Sequence, residues 1–172
     1  MTFRSISRPL ILIVLFAAAL LPLALPALAA DTTPAAPAVD KLAPARALLA
    51  EGKWRDAIEA LKAVNDTGSA DWNNLMGYSH RKARTPDFAA AERYYDAALK
   101  IDPKHRGALE YSGELYLMMG DLPKAEARLA ALDKACFFGC DEHKTLKSAI
   151  AEFKANGGKH VPRDWTPPAG KS

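Results

Sequence analysis

The feature that most constrains the fold of this chain is a repeat of 34 residues, marked by Ala57, Ala91 and Ala125. The same register holds on either side. Apolar residues recur at Trp54, Phe88 and Leu122, at Leu61, Tyr95 and Leu129, and at Val64, Ala98 and Leu132, with a second small position at Ala63, Ala97 and Ala131. Large and small residues at intervals of three and four occupy one face of a helix. A repeat of this length predicts helical hairpins that stack on one another.

The helix that precedes each of these stretches repeats less strictly. Gly77 and Gly113 correspond but lie 36 residues apart, so two extra residues are expected around Arg84–Thr85, in the turn of the middle hairpin. Turns tolerate such insertions, so both helical registers survive. Two start signals agree with this division: Thr85-Pro86-Asp87 and Asp102-Pro103-Lys104 each place a capping oxygen before a first-turn proline.

These positions resemble the tetratricopeptide repeat family over about residues 40–135. The resemblance rests on Gly77, Phe88, Ala91, Tyr95, Ala98, Ile101-Asp102-Pro103, Gly113, Tyr116, Gly120-Asp121, Ala125 and Leu132. It implies an all-α, right-handed α-solenoid of about three helical hairpins, at about 41–66, 71–101 and 104–135. Two features depart from the family pattern. Ala45 stands near the place of the glycine in the first hairpin, and Cys136 follows the third hairpin where the family has a proline.

One more helix is expected at about 141–156, after the repeats. Leu146, Ile150 and Phe153 fall on one face of it. A repeat array needs a terminal helix that covers its last apolar face and exposes polar groups to water. We therefore expect a capping helix, followed by an extended, Pro-rich tail at 157–172.

The N-terminal residues predict export. Arg4 and Arg8 precede a charge-free apolar run, which ends in prolines and Ala27-Leu28-Ala29. This order of features is typical of a secretory signal, here residues 1–30, with cleavage after Ala29 or Ala30. The run is shorter than the roughly 18–20 residues of a membrane-spanning helix, so no stable membrane insertion is expected after cleavage. An Ala/Pro-rich linker is expected at 31–40, and the periplasm is the expected location in a Gram-negative source.

The charge of the exported chain excludes one class of partner. Lys plus Arg number 23 and Asp plus Glu number 20. Removal of Arg4 and Arg8 leaves 21 against 20, close to neutral. A nucleic-acid partner, whose phosphates need a concentrated positive face, is therefore not expected.

The two cysteines carry the best local chemical motif, Cys136-Phe-Phe-Gly-Cys140 with His143 close behind. In an exported chain with two cysteines, an intramolecular disulfide is the leading interpretation, with Phe137 and Phe138 buried beside it. A metal site of Cys136, Cys140 and His143 and a redox-active dithiol are the alternatives. No nucleophile motif, phosphate-binding loop or His-Glu-x-x-His motif is present, so neither an enzyme nor a bound cofactor is expected.

In tetratricopeptide arrays the first helix of each hairpin lines a concave face on which ligands usually lie. Carried over to this sequence, the resemblance implies a partner-binding groove formed by Arg46, Asn74, Tyr78, Arg81, Lys82, Glu110, Tyr111, Glu114 and Leu117. We expect a basic half, an acidic half and exposed tyrosines as rigid contacts, although tyrosines at this spacing also suit a core.

Three functional hypotheses follow. The first is an exported adaptor or scaffold that binds a segment of another protein in this groove. The second is a thiol- or metal-carrying envelope protein that uses the cysteine motif. The third is weak self-association through the ends of a short array.

Overall fold

The structure is a computed structural model that describes residues 39–137 and 139–160, and this part of the chain contains seven α-helices and no strand. The helices are α1 (Ala43–Ala50), α2 (Trp54–Val64), α3 (Ala70–Lys82), α4 (Phe88–Ile101), α5 (Arg106–Met118), α6 (Leu122–Ala135) and α7 (Asp141–Ala155). The predicted all-α class is thereby confirmed. The expected signal segment, most of the linker and the tail beyond His160 lie outside the described residues.

The helices pair in chain order, α1 with α2, α3 with α4 and α5 with α6, and α7 packs on the last pair. Ala57, Ala91 and Ala125 are completely buried where the second helix of each hairpin packs. The methyl side chain of alanine lets the two helices approach closely at this position. A small residue recurs there because a larger side chain would have no space in the buried contact. The second small position is different, because Ala63 is exposed.

The turns inside the hairpins match the expected insertion. Residues 51–53 and 119–121 connect the helices of the outer hairpins, whereas residues 83–87 connect α3 to α4. Gly52 and Gly120 adopt positive φ angles in the shorter turns, a conformation that favours glycine.

The helix caps differ from the expectation. The side chain of Asp87, not of Thr85, accepts a hydrogen bond from the Ala90 N–H at 2.8 Å. At α5 the cap is His105, whose Nδ1 accepts from the Ala108 N–H at 3.0 Å. α4 begins two residues after Pro86 and α5 begins three residues after Pro103, so in both cases the residue immediately before the helix supplies the cap.

The two corresponding glycines allow close contacts with different helices. A Cβ atom at Gly77 would lie 2.8 Å from the ring of Tyr95 in the same hairpin. A Cβ atom at Gly113 would lie 2.5 Å from the side chain of Leu146 in α7. Gly77 therefore allows α3 and α4 to pack closely within one hairpin. Gly113 allows α7 to pack closely against α5.

The terminal helix covers the third hairpin as predicted. Leu146, Ile150 and Phe153 are buried in one cluster with Leu109 and Leu132 of α5 and α6. At the other end, Trp72 packs beside Leu61 and donates its indole N–H to the Leu61 carbonyl at 2.7 Å. Among the described residues, no helix has the length and apolar character needed to cross a membrane.

Candidate interaction surface

The first helices α1, α3 and α5 lie side by side, and we call the face they form the first-helix surface. Along α3 and α5, residues about one repeat apart face each other. Asp71 meets His105, Tyr78 meets Tyr111, and Arg81 meets Glu114. The repeat period thus places pairs of polar and aromatic side chains at successive levels between the two helices.

Tyr78 and Tyr111 are buried, so the expectation that they are exposed contacts is wrong. Their ring centroids lie 4.9 Å apart, and Trp54 makes an edge contact with Tyr78 at 5.9 Å. Burial raises the pKa of the Tyr78 phenol well above its usual value. The two rings fill the space between α3 and α5, and they form the floor of this surface.

Arg81 forms a buried ion pair above this floor. Its Nη1 donates to Glu114 Oε2 at 2.8 Å, and the two side chains are only 4% and 15% exposed. The guanidinium lies 5.4 Å and 5.6 Å from the ring centroids of Tyr78 and Tyr111, within cation–π range. Burial favours the neutral guanidine, but the phenol oxygens of Tyr95 and Tyr78 and the Glu114 carboxylate raise the pKa of Arg81. The arginine therefore stays charged.

Two hydrogen-bonding atoms on this part of α3 are buried without a hydrogen-bond partner. They are Oδ1 of Asn74 and Nε of Arg81. One is an acceptor and the other a donor, and their residues are seven positions apart, about 10 Å along the helix. Most buried polar groups in proteins have a partner, so these two atoms call for an explanation, as does Nε of Arg128 on α6.

The N-terminal end of the first-helix surface carries a more exposed polar network. The carboxylate of Asp71 accepts a hydrogen bond from His105 Nε2 at 2.9 Å and lies 3.5 Å from Arg46. Because Nδ1 of His105 accepts the helix-capping bond, the donated proton is on Nε2. The His105 hydrogen bond is the main reason that the pKa of Asp71 is below its ordinary value. Nη1 of Arg46 also donates a hydrogen bond to the Asp40 carboxylate at 2.6 Å.

The other expected groove residues differ in burial: some are partly exposed at the edge of the surface, and others are buried. Lys82 is partly exposed, with its ammonium 6.0 Å from the Trp54 ring centroid. Glu110 is buried on α5. Leu117 is not an exposed contact of the first-helix surface, because its side chain is buried in the cluster between α5, α6 and α7. Arg46, Lys82 and Glu114 remain as the partly exposed rim, with Tyr78 and Tyr111 beneath.

The disulfide between Cys136 and Cys140 is present, with a Cα–Cα distance of 5.6 Å. Its sulfurs are therefore not thiolates, and His143 Nε2 lies 2.7 Å from Asp133 of α6. This arrangement does not fit the alternative metal site. Phe137 is 92% exposed, so its expected burial is wrong: a five-residue ring has no interior for an aromatic side chain. Phe138 lies outside the described residues.

Sequence reasoning missed an open pocket of about 480 Å³ at the C-terminal end of α5. It lies between the α5–α6 turn, the start of α4 and the chain that leaves α7. Its lining residues are Phe88, Leu117, Met118, Met119, Gly120, Gly158, Lys159 and His160. No sequence signal indicates it, because it depends on where the chain runs after the last helix.

The fold and this surface define an all-α helical-repeat protein whose first helices form a polar and aromatic face. Residues 86–150 match the family model described as tetratricopeptide repeat. The prediction of tetratricopeptide repeats at about residues 40–135 is thus confirmed where the match overlaps it, over α4, α5 and α6, and such repeats generally mediate protein–protein interaction. The match extends into α7, which we expected as a capping helix. No curated protein and no solved structure shows significant similarity to the chain.

Proposed function

We propose that this protein is an interaction module that binds a segment of another protein along its first-helix surface. The observation that carries the proposal is the polar layer between α3 and α5. A buried Arg81–Glu114 pair stands there beside an acceptor of Asn74 and a donor of Arg81 that have no hydrogen-bond partner.

A buried polar layer of this kind lowers the stability of the fold relative to an apolar contact between α3 and α5. Buried ion pairs can often be replaced by apolar residues without loss of stability. An unpaired buried donor or acceptor costs about 1–3 kcal/mol. A binding surface gives such groups a use, because the backbone of a bound peptide carries both a donor and an acceptor at each residue.

The charges on this surface favour a partner of mixed charge. Arg46, Arg81 and Lys82 supply positive charge from α1 and α3, while Glu110 and Glu114 supply negative charge from α5. Complementary charge would set the orientation of the peptide and speed its association. An extended segment or short helix with acidic and basic residues on opposite sides suits this arrangement.

The test is selection of binding peptides from a random library on the purified protein, followed by measurement of the Kd of one selected peptide. We expect Arg46→Ala/Lys82→Ala to weaken binding by about tenfold, which corresponds to about 1.4 kcal/mol. The matched control is Arg55→Ala/Arg93→Ala, which removes two exposed cations from α2 and α4. Unchanged Kd in the rim variant, or an equal loss in the control, contradicts the assignment of the surface.

We infer in addition that the protein acts after export, in the periplasm of a Gram-negative source. The support is the N-terminal signal pattern together with a disulfide, which persists in oxidising compartments. The intact mass of the protein from the cell envelope tests this. Loss of residues 1–29 or 1–30 is expected, and an uncleaved cytosolic product contradicts it.

A further inference from the structure

A second open pocket lies between the first and middle hairpins. It is formed by the α1–α2 turn, the start of α2, the end of α3 and the α3–α4 turn. Its volume is about 610 Å³, which falls within the roughly 300–1,000 Å³ of small-molecule sites. None of the residues that we assign to the first-helix surface lines this pocket, so it is a separate site.

One wall of the pocket is built from the residues that interrupt the 34-residue repeat. The turn of the middle hairpin comprises residues 83–87, whereas that of the first hairpin comprises residues 51–53. Ala83, Arg84 and Thr85 of the longer turn all line the pocket. Because an insertion in a turn leaves the helical registers unchanged, its effect is on this surface. It adds a cationic and a hydroxyl side chain to the wall.

The pocket carries an excess of positive charge. Lys53, Arg55 and Arg84 line it, and Asp56 is its one carboxylate among the described residues. The ammonium of Lys53 lies 2.6 Å from the carboxylate of Glu51. Neither arginine forms an ion pair with a carboxylate in the part of the chain that the structure describes. Two uncompensated guanidinium groups in one concavity attract anions, and each can bind a carboxylate or phosphate through two parallel hydrogen bonds.

These cations are not part of the repeat pattern. At the positions of Lys53 and Arg55, the middle hairpin has Asp87 and Ala89. Both hairpins nevertheless form the same pair of helices. The stacking of repeats therefore does not require positive charge at these two positions.

Trp54 gives the pocket an aromatic wall. Its indole is partly exposed, and the edge contact with Tyr78 at 5.9 Å holds it in place. A Cβ atom at Gly52 would lie 3.6 Å from Cζ2 of the indole, so the glycine leaves the six-membered ring uncovered on this side. An aromatic ring of a ligand can pack against it. A bare oxyanion would fill only a small part of the pocket.

We propose that this pocket binds a small molecule in which an aromatic ring carries a phosphate or carboxylate group. The oxyanion binds Arg55 and Arg84, and the ring packs against Trp54. This ligand accounts for both the uncompensated charge and the volume of the pocket. The inference does not depend on peptide binding at the first-helix surface.

Titration of the ¹⁵N-labelled protein with phenyl phosphate, followed by NMR, tests the site. We expect the amide signals of residues 52–56 and 83–85 to shift, with a Kd in the millimolar range or below. Arg55→Ala/Arg84→Ala should raise this Kd by about tenfold or more, because charge-assisted hydrogen bonds are lost. Both side chains are exposed, so the variant should fold as the unchanged protein does.

The matched control is Lys100→Ala/Lys134→Ala, which removes the same charge from exposed positions on α4 and α6. It should leave the Kd of phenyl phosphate unchanged. An equal loss of binding in the control, or an unchanged Kd in the arginine variant, overturns the proposal. Signal shifts spread over the basic residues of the whole domain overturn it too.

Two further probes separate the parts of the ligand. Benzoate keeps the ring and replaces the phosphate with a carboxylate, so the tighter of the two aromatic probes identifies the preferred oxyanion. Inorganic phosphate lacks the ring and should bind several-fold more weakly than phenyl phosphate. Equal binding of inorganic phosphate, or no binding of either aromatic probe, overturns the proposal.

Discussion

Charged side chains join successive repeats on both sides of the array, but at very different depths. On the first-helix surface, Arg81 of α3 meets Glu114 of α5, 33 residues further along the chain. On the opposite side, Arg128 of α6 donates to Asp96 of α4, 32 residues away, at the same distance of 2.8 Å. Asp96 is 55% exposed, whereas Glu114 is 15% exposed.

The comparison shows that repeat spacing creates the opportunity for a charge pair, while depth decides its energy. A solvent-exposed pair contributes about 0–1 kcal/mol, since water screens the charges. A buried pair is retained at a desolvation cost, and removal of one partner leaves an uncompensated charge. The buried pair is therefore the one that needs a functional reason.

The largest expected effect comes from Glu114→Gln, which keeps the shape of the side chain but removes its charge. Arg81 would then be buried without a counter-charge, and we expect the free energy of unfolding to fall by about 3 kcal/mol. Urea denaturation measures it. The double variant Arg81→Met/Glu114→Leu should recover most of the loss, because apolar residues of similar volume need no partner. If Glu114→Gln lowered the free energy of unfolding by less than about 1 kcal/mol, the Arg81–Glu114 pair would contribute no more than a solvent-exposed ion pair.

An intermediate effect is expected at the N-terminal end of the first-helix surface. His105→Ala removes the cap of α5 and the hydrogen bond to Asp71, and we expect a loss of about 1 kcal/mol. His105→Asn keeps a capping side chain and should recover most of the stability. The thermal midpoints of the two variants provide the measurement, and equal midpoints would show that the cap is not the stabilising contact.

The pH dependence of stability should distinguish the His105–Asp71 hydrogen bond from the buried Arg81–Glu114 ion pair. The folded-state pKa of Asp71 is lowered, first by the His105 hydrogen bond, so this carboxylate stabilises the fold above its unfolded pKa near 3.8. That contribution is lost as the pH falls through the lower folded-state pKa. His105→Asn should therefore make the urea midpoint less sensitive to pH between 4 and 2. Parallel pH profiles for the two proteins contradict the assignment.

The smallest effect is expected from Asp96→Asn, the matched change on the opposite side of the array. The free energy of unfolding of this variant should fall by less than about 1 kcal/mol, because Asp96 is 55% exposed and water screens its charge. In 1 M salt, where screening acts within about 3 Å, this difference should vanish. The effect of Glu114→Gln should persist in 1 M salt, and its disappearance would remove the distinction between the two regions.

The fold was largely predictable, because the residues that define it repeat at a fixed interval. Ala57, Ala91 and Ala125 are buried as the period implies, and the extra residues of the middle hairpin lie in its turn. The caps were assigned to the wrong residues, because a proline shows only that a helix begins nearby. The disulfide was also predictable, since the sequence has two cysteines, four positions apart, and an N-terminal pattern that predicts export.

The sequence placed the residues of the candidate surface on α3 and α5, but it did not predict how deeply they are buried. Register places Arg81 and Tyr78 on α3 and Glu114 and Tyr111 on α5, on the faces that point towards each other. Whether a side chain on such a face is exposed depends on how closely the neighbouring helix approaches. In this structure the ring centroids of Tyr78 and Tyr111 lie 4.9 Å apart. The two tyrosines, which we expected to be exposed contacts, are therefore buried between α3 and α5.

The sequence by itself determined the helical hairpins, their order and the residues at which they cross, since these follow from local periodicity and small side chains. Only the tertiary structure decided which charge pair is buried, that Leu117 belongs to the core and that the chain returns from α7 to the end of α5. The physical reason is that burial and electrostatic energy depend on distances between separate helices. Periodicity within one helix carries no information on those distances.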